Sequence, residues 1–369
     1  MITKFSGKVG LIQRVLPEYR APFFDALGAA CEGGLHIFAG DPQPDEMIKT
    51  TQHLENADLS RARNFHLFKG KYYLCFQFGL LPWLKRIDPD VLILEANPRY
   101  LSTPAARRWM QQRHRAVVGW GLGAPPIKGF IATIRQFHRK QFITQFDALI
   151  TYSQKGASEY ATLGFPEEHI SVAVNAVTPA PVHPLPERDK PPSGDIARIL
   201  FVGRVQGRKN LHNLLLACAQ LPKSLQPELV IVGDGPARQV LETYADQTYP
   251  KTHFTGALYG EDLAAHFRSA DLFVLPGTGG LAIQQAMSFG LPIIAAQADG
   301  TQEDLLRPSN GWIIPPNDIL ALKAALTKAL SDLKNLRNMG AESYRIVSEE
   351  INLGKMVAVF IKTLNRSLK

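Results

Sequence analysis

The sequence predicts an α/β protein built as two doubly wound domains, each a parallel sheet covered by helices. Three observations carry this expectation. Short apolar runs alternate with amphipathic stretches along the whole of the 369 residues, which is the signature of repeated βαβ units. That length exceeds one ordinary core and suits two domains of similar size. Residues 178–197 hold six prolines and no periodic apolar pattern, and such a segment reads as a linker. The domains are therefore placed at 1–178 and 198–369, with the linker at 179–197.

In the first half, strands are expected at 9–16, 35–39, 64–68, 91–95, 116–121 and 148–151. Helices are expected between them at 22–31, 73–86 and 101–113, with a long basic helix at 127–146. The second half restarts the alternation with strands at 199–202, 229–232, 253–255, 272–275, 292–295 and 312–314. Its helices begin at Asn210, Ala237, Asp262, Leu281, Glu303 and Asp318, and a helical tail at 341–368 is free to cross back. Doubly wound sheets bind ligands beyond the carboxyl ends of their strands, so a cleft between the two domains is the expected site.

Composition narrows the class. Hydrophobic residues at 45% and charged residues at 20% mark a globular chain. The three cysteines, Cys31, Cys75 and Cys218, form no C-x-x-C pair, which points to a reducing, cytoplasmic setting without a disulfide framework or zinc site. The N-terminal apolar run is broken by Gln13 and Arg14 and reads as a strand, not a leader. The longest apolar stretch, 72–84, is short of the roughly 20 residues that span a bilayer. Net charge is +8, and residues 1–178 hold 21 Lys and Arg against 15 Asp and Glu, leaving +6 there and +2 in the rest. With the basic-aromatic segments at 61–73 and 135–142, this predicts that the first domain meets an anionic membrane surface, peripherally on the inner face of the plasma membrane. No recognition motif for nucleic acid accompanies the charge.

The chemistry concentrates in the second half. Residues 271–296 read as strand, glycine turn, helix and strand. Gly277, Gly279 and Gly280 remove side chains at the turn, so the amides of Gly279, Gly280 and Leu281 can point together at a phosphate. The strand ending at Gly203 is followed by Arg204, Gly207, Arg208 and Lys209. There Arg204 forks onto two phosphate oxygens and Lys209 serves as a mobile point charge. The turn of Gly233, Asp234 and Gly235 lacks the remaining features of a dinucleotide fingerprint. Asp88-Pro89-Asp90 resembles a metal-holding D-x-D but is expected anyway as a turn before a strand. No histidine pair has ligand spacing, so no metal is expected.

The segments ILFVGRVQGRKNLHNLL, LVIVGDGP, HFTGALYGEDLAAHFRSADLFVLPG, AMSFGLPII, DGTQEDLL and NGWIIPPND follow one another in residues 198–320. In that order they resemble the donor-binding domain of retaining GT-B glycosyltransferases of the family 4 type. The resemblance implies two Rossmann-like domains facing a cleft, and a nucleotide-sugar co-substrate with no other cofactor. It implies a glycan or lipid-linked acceptor and bacterial cell-surface polysaccharide synthesis, with UDP and GDP the leading donor nucleotides. It places the nucleotide diphosphate on Arg204 and Lys209 and the base beside Ala257 and Leu258. The family's E-x7-E pair falls on Gly277 and Gln285, so both acids are missing, and Gln285 keeps only an amide for a ribose hydroxyl. The stretch 120–123, WGLG, resembles a family W-G-H-G with Leu122 in place of histidine. Acceptor contacts are expected from Tyr19, Arg20, Arg99 and Trp120, which follow first-domain strands. Two functions stay open: a retaining transferase that relies on diphosphate stabilisation, and a binding or scaffold protein that kept the fold without the chemistry.

Overall fold

The computed structural model describes residues 3–46, 48–127, 129, 130, 132–186 and 196–368, so part of the expected linker, 187–195, lies outside the described residues. The chain forms two compact units. The first is Met1–Val177 together with Leu353–Lys369, and the second is Thr178–Asn352.

The first unit is built on an eight-stranded sheet. Its strands are β1 (Val9–Val15), β2 (Leu35–Gly40), β3 (Asp58–Leu67), β4 (Leu74–Phe78), β5 (Val91–Glu95), β6 (Ala116–Gly121), β7 (Ala148–Thr151) and β8 (Ile170–Val172). The order is β4-β3-β2-β1-β5-β6-β7-β8, parallel except for the antiparallel β3–β4 pair. The central strands are continuous apolar runs because both of their faces are covered: Val91, Leu92, Ile93 and Leu94 are all buried.

Two first-half expectations are corrected. The helix expected at 73–86 is a strand followed by a shorter helix, Leu80–Ile87. Cys75 and Gln77 are buried while Phe76 and Phe78 are exposed, a period of two that a strand satisfies and a helix does not. Gly79, with φ 84°, then turns the chain into the helix. The long basic helix is confined to Ala132–Ile143, and the three-residue β8 carries too little pattern to be foreseen.

The expected second domain, 198–369, loses its terminal helix, Leu353–Ser367, to the first unit. The reason is packing. Leu353, Met356, Val357, Phe360, Ile361 and Leu364 lie in one buried cluster with Val9, Leu11, Ile93, Val118 and Ile150 of the first sheet. The Phe360 ring centroid is 5.0 Å from those of Phe23 and Trp120, and Thr363 donates from Oγ1 to Ser171 Oγ at 2.8 Å.

The second unit has a six-stranded, all-parallel sheet: β9 (Arg198–Val202), β10 (Glu228–Val232), β11 (Thr252–Gly256), β12 (Leu272–Leu275), β13 (Ile293–Ala296) and β14 (Gly311–Ile314). Its order is β11-β10-β9-β12-β13-β14. The direction of winding reverses between β9 and β12, and in such sheets the loops at the carboxyl ends of those two strands diverge and leave room for a ligand.

Candidate functional site

The loops leaving β9 and β12 are stitched together. The Thr278 amide donates to the Arg208 carbonyl at 3.1 Å, Arg208 Nη1 reaches Thr278 Oγ1 at 3.4 Å, and Lys209 Nζ donates to the Thr278 carbonyl. Lys209 is therefore not the mobile charge expected from the sequence. It is 9% exposed, and burial, reinforced by the neighbouring Arg208 charge, pushes its pKa from 10.5 down to about 8.

The glycines make the room that Lys209 occupies. A Cβ on Gly277 would lie 2.3 Å from the Arg208 carbonyl oxygen and 2.6 Å from Lys209 Cα. A Cβ on Gly279, whose φ is 131°, would lie 2.4 Å from Lys209 Nζ. No side chain therefore fits at position 277 without the backbone moving.

Gly280 opens the helix Leu281–Ser288. Gln302, fully buried, donates from Nε2 to the Gly279 carbonyl at 2.6 Å. Thr301 stands where a Gly280 Cβ would meet its Oγ1 at 2.9 Å, and Asp299 accepts from the Thr301 hydroxyl at 2.7 Å and amide at 3.2 Å. The carbonyls of Thr278 and Gly279 are engaged by Lys209 and Gln302, whereas the amides of Gly279, Gly280 and Leu281 donate to no acceptor among the described residues. A buried ammonium and three unengaged amides at a helix start can form a cradle for an anion.

The other donor-side candidates sit at the same edge of the sheet. Gly203 directly follows β9, and Arg204 beside it is exposed. Ala257 is exposed and Leu258 half-buried immediately after β11, which lies two strands from β9. Gln285 is half-buried in the second turn of the 281–288 helix, with no side-chain hydrogen bond among the described residues. Its neighbour Gln284 is fully buried and structural: it accepts from the Thr178 amide at 3.2 Å and donates to the Ile351 carbonyl at 3.0 Å. Sequence reasoning missed Thr278, Thr301 and Gln302. The last two lie in the quoted DGTQEDLL segment, but nothing in the pattern says that its glutamine reaches back to the glycine turn.

In the first unit the winding reverses between β1 and β5. A pocket of about 410 Å3 lies beside the ends of these strands, with Arg14, Glu46, Tyr73, Asn97, Arg99 and Tyr100 in its wall. Arg14 gives both terminal nitrogens to Glu46 at 2.8 Å. Behind it Glu95, unforeseen in the sequence, has an Oε2 shut off from solvent and without a hydrogen-bond partner among the described residues. Burial pushes its pKa up to about 7, against the opposing pull of the Tyr100 hydroxyl and Arg14.

Arg99 is exposed on the wall of that pocket and Tyr19 is 53% exposed. Arg20, by contrast, is buried among aromatic rings. Trp120 is a correction. It is 2% exposed, with Phe23, Phe24, Tyr152 and Phe360 around it, so no face is open for stacking on a sugar. Of the D-x-D, Asp88 pairs with Arg115 at 2.6 Å and Asp90 accepts the Lys8 amide at 2.7 Å. Among the described residues no group of three or more His, Cys, Asp or Glu could hold a metal ion, and no helix is long and apolar enough to cross a membrane.

Residues 187–346 match the family model described as glycosyl transferases group 1. A GDP-mannose-dependent alpha-mannosyltransferase of Corynebacterium glutamicum is 38% identical over 141 residues, which is 37% of this chain and 32% of that protein. A GDP-mannose-dependent alpha-(1-6)-phosphatidylinositol monomannoside mannosyltransferase of Mycolicibacterium smegmatis is 25% identical over 253 residues, 64% of each chain. The chain thus spans from about a third to just under two thirds of the length of these relatives. Among solved structures, Anabaena Alr3699/HepE in complex with UDP superposes with a TM-score of 0.72 at 15% identity, covering 97% of this chain and 99% of that one. The two Rossmann-like sheets are those of the GT-B glycosyltransferases.

Proposed function

We propose that this chain, a relative of the group 1 glycosyl transferases over residues 187–346, moves a sugar from a nucleotide sugar to a hydroxyl of a glycan or lipid-linked acceptor. The observation that carries this is the cradle itself: Lys209 is buried within a glycine turn whose amides are unused, at the point where the second sheet reverses. Burying an ammonium beside a second cation is unfavourable unless an anion joins it, and the diphosphate of a nucleotide sugar is the anion such a turn fits. The names of the mannosyltransferase relatives support a GDP sugar, and the UDP-bound neighbour supports a UDP sugar.

In this reading the anomeric configuration is retained. The bond from the sugar's anomeric carbon to the diphosphate oxygen breaks while the acceptor oxygen bonds to the same face. The acceptor proton passes to the departing phosphate, and Lys209, Arg204 and the amides around Gly280 stabilise the charge that develops there. No protein nucleophile is needed. The phosphatidylinositol-derived acceptor in one relative's name supports a lipid-linked acceptor. The +6 balance of residues 1–178 supports work at an anionic membrane on bacterial surface glycans.

Thermal melts against UDP-, GDP-, ADP- and dTDP-sugars test the donor. Saturation at about 100 times the dissociation constant should add roughly 2.7 kcal/mol, and the absence of a shift with every member of the panel, checked by calorimetry, would refute it. One observation favours a second reading, that of a non-catalytic sugar-nucleotide binding protein: position 277 admits no side chain, so the first acid has no place. Tight donor binding without nucleotide release on any acceptor, or on water, would select it.

A further inference from the structure

We propose that Arg20 is an anion receptor in the first unit and that the acceptor carries a phosphate or carboxylate group which this arginine holds. The acceptor clause rests on the transferase reading; the anion site does not. Arg20 is 8% exposed. Its guanidinium carbon lies 5.9 Å from the ring centroid of Tyr19, 5.8 Å from that of Trp120 and 5.3 Å from that of Tyr152. Aromatic faces attract a cation but accept few hydrogen bonds, and they leave its charge in place. Nη1 is cut off from solvent and has no hydrogen-bond partner among the described residues. No carboxylate of the described residues forms an ion pair with Arg20, whereas Arg14, Arg115 and Arg198, all more exposed, each have one.

A guanidinium buried without an acceptor is among the more unfavourable arrangements a protein can hold. It is most readily understood where a ligand completes it, and its position fits one. Arg20 follows β1 at the reversal of the first sheet, where open α/β folds receive ligands. The 3-10 turn Glu18–Arg20 runs straight into the helix Ala21–Ala29, and the amides of Arg20 and Ala21 are taken by the Pro17 and Glu18 carbonyls, so it is the Arg20 side chain and not the helix end that offers donors. Trp120 Nε1, equally buried and without a partner, supplies a further donor beside it. Arg107 is as buried, but it lies within the helix Thr103–Gln111 and not at a strand end.

The test compares the parent with Arg20→Gln, Arg20→Lys and Arg107→Gln. Inorganic phosphate, glucuronate or neutral glucose is titrated at constant ionic strength and followed by thermal melts and tryptophan fluorescence, Trp120 being the local reporter. The parent and Arg107→Gln should respond to phosphate or glucuronate but not to glucose, and the anion that acts identifies the acceptor group. Arg20→Gln should weaken that response at least tenfold, leave nucleotide-sugar melts unchanged, and melt no lower than the parent without ligand. If Arg20→Gln does not fold, Arg20→Lys, which loses the two-donor fork, should still weaken the anion about tenfold. No response of the parent to either anion, or affinities in the Arg20 variants equal to the parent's, would overturn the proposal. A parent whose response to anions is lost in the Arg20 variants, and which answers to no nucleotide sugar, would keep this site and remove the transferase reading.

Discussion

Replacing Lys209 with methionine keeps the length of the side chain and removes its charge, and the pH dependence of the consequence can be worked from the structure. The folded pKa, about 8, lies below the ordinary 10.5. Below pH 8 both folded and unfolded chains carry the proton and the full penalty of burying the ammonium is present. Between pH 8 and 10.5 the unfolded chain holds more protons, so stability rises with pH as the penalty is relieved. Integrated from pH 7 to pH 10, the gain is about 2.5 kcal/mol. Urea denaturation of the parent and of Lys209→Met at pH 7, 8, 9 and 10 isolates it, since tyrosines and cysteines common to both chains cancel in the difference. The parent should gain on the variant by that amount, nearly all of it above pH 8. A difference that stays flat to within about half a kilocalorie per mole would refute the claim that Lys209 is a buried ammonium. Nucleotide-sugar binding should be lost in the variant at every pH, and in the parent it should weaken as the ammonium deprotonates above pH 8.

Gly277→Glu, which supplies the first acid that the resemblance leads one to expect, should not raise activity. Its Cβ would meet backbone at 2.3 and 2.6 Å, so a loss of about 1–3 kcal/mol in melts and weaker nucleotide-sugar binding are expected; an unchanged melt with faster turnover would show that the loop yields. Glu95→Gln should remove a pH dependence of the opposite sign. With the folded pKa raised from 4.5 to about 7, the parent loses up to about 3 kcal/mol relative to the variant as pH rises from 4.5 to 8, and parallel stability curves would contradict the buried carboxyl. Phe360→Ala should cost about 3–5 kcal/mol by opening a cavity between Phe23 and Trp120. That loss should appear in the unfolding of the first unit and leave nucleotide-sugar affinity within twofold; a melt within 1 °C of the parent would refute the packing.

The strands with continuous apolar runs, such as 91–95 and 272–275, were legible because burial on both faces leaves one signal for the whole element. The segment 73–86 misled because the strand 74–78 places aromatic residues, Phe76 and Phe78, on its exposed face, where alternation is ordinarily marked by polar residues, and only the β3–β4 pair explains them. At the site, the glycine turn and the cations could be found from spacing alone. What spacing cannot give is the direction of a side chain. Lys209 points into the turn instead of away from it, and Gln302 meets the Gly279 carbonyl, and Glu95 the Arg14 amide, by tertiary approach. Trp120 shows the same limit: a tryptophan after a strand can stack on a ligand or fill a core, and Phe360, 240 residues further along the chain, decides for the core.

The placement of Leu353–Ser367 on the first sheet bears on how the protein is made. As the chain leaves the ribosome, residues 1–177 emerge first, with the face of β6, β7 and β8 that this helix will cover still bare. That face must wait for the whole second unit to be translated before residues 353–364 arrive. The interval is tens of seconds at about 5–20 residues per second, long enough for an apolar surface to recruit chaperones or another copy of itself. A fragment ending at residue 177 should therefore behave poorly by itself. A circularly permuted fragment that joins 353–368 ahead of residue 3 is the form in which the first unit should be isolated, and the spacing between the chain ends can be read from Asn365, whose side chain donates to the Lys4 carbonyl at 3.3 Å.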